Sequence, residues 1–294
     1  MALRRRRAAD GLSDDQRAAL RACVAAPKFE LIPLKDVDVQ AAYLPHGSTV
    51  TVTASPSHGI EATVEIAGRM AELGHVAVPH LSAHMFRDRE HLAEVLRACD
   101  AAGLRRAFVV GGDAKDKGMF HNGVALLHAM DELGHPFTEI GVPCYPEGHV
   151  DIEDDVLLDA LTQKQRYASY MTTQMCFNPE AITGWIGRMR AAGITLPVHL
   201  GTPGVAELTK LMKISARIGI ADSARYLKKN RKMVGHLLSP GSFGPDALLE
   251  GMAPSLCDPL ADIEALHLFT FNQVEATVAW QARMLASLDE VSEP

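Results

Sequence analysis

The chain has 294 residues, 47% of them hydrophobic and 22% charged, which is enough apolar material for a sizeable core and enough charge for an aqueous surface. Its 29 Lys and Arg against 36 Asp and Glu leave a formal charge of −7, which excludes a broad nucleic-acid surface but allows a local basic pocket. No run reaches the roughly 18 apolar residues of a membrane helix. Arg4 to Arg7 are followed by Asp10, Asp14 and Asp15 and not by an apolar signal core. A cytoplasmic protein without nucleic-acid or membrane partners is expected, as a homo-oligomer.

In chain order, β-rich runs fall at 29–33, 49–54, 75–82, 106–111, 137–144, 170–176, 195–200 and 266–271, each followed by a helix-compatible segment. Strand-helix alternation with right-handed crossovers builds a parallel sheet. Four of the helical segments end in a glycine, at Gly74, Gly103, Gly134 and Gly193, spaced 29, 31 and 59 residues apart. A glycine just past a helix takes the left-handed conformation that releases the chain toward the next strand, so the spacing marks a unit of about 30 residues, once doubled. Eight such units predict a single-domain (β/α)8 barrel over residues 1–294, with 1–27 as an N-terminal extension and 202–265 as extra helices before the last strand. The alternative, a doubly wound open sheet, usually carries a G-x-G-x-x-G loop, which is absent here.

Two of the helices announce their ends. Asp88 can cap a helix whose apolar face is Leu92, Val95, Leu96 and Cys99, and Asn178-Pro179 opens another with Ile182, Trp185, Ile186 and Met189 on one face. The long 202–265 stretch has breaks near Gly219, Ser239 to Gly241, and Gly244-Pro245. Its cluster Arg225, Lys228, Lys229, Arg231 and Lys232 reads as a solvated helix face, or else as an attraction for a polyanionic tail. The cysteines lack C-x-x-C or Cys/His ligand spacing; Cys23, Cys99, Cys144 and Cys257 read as small buried hydrophobes and Cys176 as near a site.

Barrel enzymes place their chemistry at the C-terminal ends of the strands. Those ends hold Glu30, Thr53, His80, Asp113, Tyr145, Gln174, Gly201 and Asn272. Around them stand Phe-Glu-x-x-Pro (Phe29, Glu30, Pro33), Pro-His-Leu (Pro79 to Leu81), Gly-Asp (Gly112-Asp113), Tyr-Pro-Glu-x-His (Tyr145 to His149), Thr-Gln (Thr173-Gln174) and His-x-Phe-Thr-x-Asn (His267 to Asn272). In this order, over about residues 28 to 285, the motifs resemble those of the methylenetetrahydrofolate reductases.

The resemblance implies FAD across the C-terminal face, with a folate and NAD(P)H using the flavin in turn. Carried over position by position, Thr53, His80, Gly112, Asp113, Tyr145, His149 and Lys164 would contact FAD, and Glu30, Gln174, Asn272 and Gln273 the folate. Glu30, Asp113 and Gln174 are the catalytic candidates. Opening the folate's five-membered ring to an iminium ion needs a proton on the departing nitrogen, and Glu30 could supply it, with Phe29, Leu31 and Ile32 as the expected apolar surroundings. Asp113 beside the flavin would tune its potential, unless it caps the following helix. Gln174 offers a donor and an acceptor to a pterin or a carboxamide.

The sequence departs from the family pattern at Gly111, where arginine is usual, at Met175-Cys176, which replace an aromatic pair, and at Gln273, where arginine is expected. A metal-dependent barrel hydrolase or aldolase and a non-catalytic folate- or flavin-binding protein remain as alternatives. No H-x-H pair or H-E-x-x-H helix marks a metal site.

Overall fold

In chain order the β-rich runs become β1 (Lys28–Leu31), β2 (Thr49–Val52), β3 (Val76–Ser82), β4 (Arg106–Val110), β5 (Glu139–Cys144), β6 (Tyr170–Thr173), β7 (Val198–Pro203) and β8 (Ile263–Phe269). They are seen in a computed structural model that describes residues 11–112, 114, 117–217 and 242–289. Each strand lies parallel to its neighbours, and β1 pairs with both β2 and β8, so the sheet closes into a barrel. That closure decides for the (β/α)8 barrel over the open sheet.

Helices α1 (Asp14–Ala25), α2 (Val37–Ala41), α3 (Gly59–Glu72), α4 (Arg89–Ala101), α5 (Gly123–Leu133), α6 (Asp154–Lys164), α7 (Pro179–Ala191), α8 (Leu208–Arg217), α9 (Asp246–Leu256) and α10 (Val274–Asp289) accompany the strands. The two caps read from sequence are formed. Asp88 accepts from the His91 N–H and Asn178 from that of Glu180, with Pro179 at the first turn. All the apolar residues named on α4 and α7 are buried. The four helix-ending glycines all have positive φ. Among the described residues no helix is long and apolar enough to cross a membrane.

The last two strands differ from expectation. β7 starts at Val198, not 195, and runs on through Gly201 to Pro203, while β8 starts at Ile263, ahead of the expected 266. Residues 263–265 fall at the end of the stretch expected to hold extra helices, yet Ile263 pairs with Val198 across a register shift and anchors the bottom of the ladder. Gly201 is therefore inside its strand and not at the rim. Within 202–265, α8 and α9 are present and Ala206–Glu207 pairs antiparallel with Ser242–Phe243. The basic cluster of Arg225 to Lys232 lies outside the described residues.

Strand residues alternate between two environments. Phe29, Leu31, Val50, Val52, Ala107, Val109, Leu266 and Leu268 join the large core under the helices, whereas Val78, Phe108 and Tyr170 form a separate cluster inside the barrel. Cys23, Cys99, Cys144 and Cys176 are buried; Cys257, expected to be buried, is exposed after the end of α9.

Candidate active site

The barrel interior is polar in two layers. At the floor, the Lys28 ammonium meets Glu139 at 3.1 Å, the Arg106 guanidinium meets the other Glu139 oxygen at 3.1 Å, and Lys28 lies 3.8 Å from the Tyr170 ring centroid. Burial lowers the Lys28 pKa to about 8, against the pull of Glu139. His199 stacks on Tyr170 at 3.8 Å, and burial, then the nearby Lys28, lower its pKa to about 2. Gly141 makes room for this stack, since a Cβ there would come within 2.3 Å of the Tyr170 ring.

Nearer the mouth, Glu30 points inward between two imidazoles, with its Oε2 3.3 Å from Nε2 of His267 and 4.0 Å from Nε2 of His80. Its side chain retains 12% exposure. The expected apolar surroundings are therefore corrected: Phe29 and Leu31 face the helices because neighbouring strand residues face opposite ways, and Glu30 meets histidines instead. His80 sits one layer inside the rim, packed on Phe108 at 4.7 Å. Burial lowers its pKa to about 4, opposed by Glu30. Thr51, Thr172 and His80 each bury a polar side-chain atom without a protein partner.

The residues expected around an anionic cofactor occupy one side of the mouth. Thr53 follows β2 directly, its N–H donating to Leu31 O. Gly112 has φ of 100° and no room for a side chain, because a Cβ would fall 2.0 Å from Ser82 Oγ; at Gly111, by contrast, a Cβ would meet nothing within 4 Å. Asp113 lies outside the described residues, but α5 is capped by Asn122, which accepts from Ala125 N–H, so the cap reading of Asp113 loses its helix.

Tyr145 and His149 meet edge to face at 5.2 Å, and His149 Nδ1 accepts from Asp151 N–H. Tyr145 and Lys164 border a cavity of about 390 Å³ walled by Leu157, Leu161 and Trp185. Lys164 is half-buried, burial lowers its pKa, and its ammonium has no acidic partner among the described residues. A cation kept in such a place is suited to a phosphate. Lys164 and the open space above Gly111 fit an anionic group, while Glu147, Asp154 and Asp155 line the same cavity and confine that fit to the lysine's side.

On the far side, Gln174 uses its Oε1 to accept from Met175 N–H, leaving its amide N–H groups for the mouth. Asn272, expected at the folate, is instead committed to the chain. Its Oδ1 accepts from Ile32 N–H at 2.9 Å, and its Nδ2 donates to Ile32 O and to Asp36. Phe271 and Asn272 have φ of 49° and 55°, a strained pair held by this clamp. Gln273, half-buried, begins α10 through its carbonyl, which accepts from Thr277. Met175, Phe177, Leu211 and Phe243 form a small apolar cluster with Phe269 and Phe271 against it. Among the described residues no three His, Cys, Asp or Glu are arranged to hold a metal ion.

The sequence reading gave no role to His267, Lys28, His199 or Tyr170. Their signal was their alternate positions on the same strands, which put them on the face shared with Glu30.

The profile of the methylenetetrahydrofolate reductases matches residues 27–283. The chain belongs to that family. As a member of the methylenetetrahydrofolate reductase family it is 24% identical over 212 residues to "Methylenetetrahydrofolate reductase 1" of Schizosaccharomyces pombe, covering 68% of this chain. It spans only 34% of that relative's length. Among solved structures, a chain from Burkholderia cenocepacia J2315 described as a lyase/mutase aligns with a TM-score of 0.46 at 15% identity, covering 92% of this chain and 87% of the other. Tryptophan synthase from M. tuberculosis aligns with 0.44 at 12%, covering 94% and 97%. Likenesses of that size say nothing about activity.

Proposed function

We propose that this family member interconverts 5,10-methylenetetrahydrofolate and 5-methyltetrahydrofolate in the cytoplasm, using FAD and, as electron partner, NAD(P)H. The observation that carries the reading is the Glu30 carboxyl held inside the barrel between His267 and His80, toward the C-terminal ends of the strands.

Lys164 would hold the cofactor's diphosphate, Tyr145 and His149 its nucleotide portion, and Gly112 would let the backbone approach its ring. FAD, when bound, supplies hydride transfer to and from the one-carbon unit. In the reducing direction Glu30 donates its proton to the departing ring nitrogen, which opens the methylene bridge to an iminium ion; in the oxidising direction it takes that proton back. Gln174 orients the pterin through its free amide N–H groups. The apolar cluster of Phe269, Phe271 and Met175 beside it covers the reacting ring and excludes water. Asp113, next to Gly112 in the chain, would tune the flavin's potential.

Titration of the purified protein with FAD tests the reading, followed by bleaching with NADH and reoxidation with 5,10-methylenetetrahydrofolate. A flavin spectral shift, loss of colour and its return upon adding the folate are expected. Saturating FAD that gives neither a spectral shift nor thermal stabilisation overturns the flavin assignment, and a bleached flavin that the folate fails to reoxidise overturns the substrate.

A further inference from the structure

The mechanism uses Glu30 but leaves its closest neighbour without a task. His267 Nε2 stands 3.3 Å from Glu30 Oε2, and the His267 side chain is 2% exposed. Its ring is fixed in orientation by Phe269 at 5.0 Å and Phe108 at 6.3 Å. The backbone is equally constrained, because β8 is central in the closed sheet and His267 pairs in register with Lys28 on β1 and Gly201 on β7.

The ring's other nitrogen settles the tautomer. Nδ1 is buried with no hydrogen-bond partner. A proton on Nδ1 would bury an orphaned N–H and set the bare Nε2 lone pair against a carboxylate oxygen, two unfavourable contacts. A proton on Nε2 makes the bond to Oε2 and leaves only a lone pair unmatched. His80 cannot take this task, since its Nε2 is 4.0 Å from the same oxygen and makes no hydrogen bond; it bounds Oε2 on a second side.

Oε2 is thereby committed as an acceptor, and Oε1 has no hydrogen-bond partner among the described residues. We propose that His267 is the positioning residue of this site: its Nε2–H reserves Oε2 of Glu30, so the transferable proton is carried on Oε1 and presented to the mouth. The inference rests on Glu30 being the acid of the folate step. It adds that a carboxyl at this position is insufficient unless one of its oxygens is locked.

Single-turnover rates of the two half-reactions test it in holoenzyme, using His267→Leu, which keeps apolar volume against Phe108 and Phe269, and His267→Gln, which restores an N–H donor. Reoxidation by the folate is expected to slow about 100-fold in His267→Leu, the scale of a misplaced reacting group, while flavin reduction by NADH stays at the wild-type rate and His267→Gln recovers most of the loss. On a Glu30→Gln background, His267→Leu should add nothing, because the interacting partner is already gone. Wild-type folate rates in His267→Leu, equal slowing of both half-reactions, or a full additional loss on the Glu30→Gln background would each overturn the proposal. If Glu30→Gln itself reoxidises at the wild-type rate, the acid assignment has failed and this inference with it.

Nitrogen-15 imidazole NMR of the cofactor-free protein gives an answer independent of turnover. A His267 Nε2–H tautomer whose resonances move in Glu30→Gln is expected, and an Nδ1–H tautomer refutes the positioning role even where the acid assignment stands.

Discussion

The floor and the mouth of this barrel are both polar, but their charges are answered differently. At the floor, Glu139 answers Lys28 and Arg106 together and Tyr170 covers the lysine, so the charges are paired and His199 Nδ1 is left as a neutral unmatched atom. Toward the mouth, a single carboxylate meets two imidazoles, and Thr51, His80 and Thr172 leave polar atoms unanswered. Burying polar groups costs free energy unless they are paired. The floor therefore reads as a built-in part of the fold and the mouth as a surface made to be completed by something that binds, which matches the division of labour in barrels of this kind.

Substitutions that reverse the roles of the two layers test this contrast. The largest effect is expected at the mouth, where Glu30→Gln should slow the folate half-reaction by about 10²–10⁴-fold with little change in the unfolding midpoint. Stopped-flow traces and a urea titration on the same preparation separate the two outcomes, and a large loss of stability would place Glu30 with the floor. Glu139→Gln should do the opposite. It leaves Lys28 buried without a carboxylate and should cost about 3 kcal/mol, the low end for a broken buried pair because Glu139 is partly exposed. Flavin affinity should be unchanged.

Asn272→Ala removes the clamp on Ile32 and should cost about 2 kcal/mol, the scale of leaving buried backbone groups unsatisfied. If folate KM rises while stability holds, the residue belongs to the substrate after all. The acid dependence of stability probes both layers at once. His80 and His199 have folded pKa values lowered to about 4 and about 2, below the roughly 6.5 of an unfolded histidine. Their contribution is complete above that unfolded value, and it declines as the pH falls from there toward the folded values, because the unfolded chain then binds protons that the folded one refuses. Each imidazole should contribute at most about 1.4 kcal/mol per pH unit. Unfolding midpoints between pH 7 and pH 5 measure the slope, and His199→Gln should flatten it.

Much of the architecture was legible in the chain because helix stops, caps and apolar faces are local signals. Asp88, Asn178 and the glycine spacing needed no knowledge of distant residues. The mouth was legible in part, since motif positions located Glu30, His80, Tyr145 and Gln174 at one end of the barrel. The environment of Glu30 was not, because it depends on which strand closes against β1, and that closure joins residues more than two hundred positions apart. The partners of Asn272 were hidden for the same reason. A polar side chain at a strand end looks available until the backbone of Ile32 is seen to occupy it. The start of β8 was missed because Glu264 broke the apolar run, although backbone pairing there follows the strand next to it.

At Gly111, where the family resemblance leads one to expect arginine, a Cβ would meet no described atom within 4 Å, and the φ angle is not among the positive ones. The backbone therefore still has the shape that an arginine would use. The departure from the family pattern is thus one of side chain and not of scaffold. A residue with a Cβ at position 111 should fold without repair elsewhere.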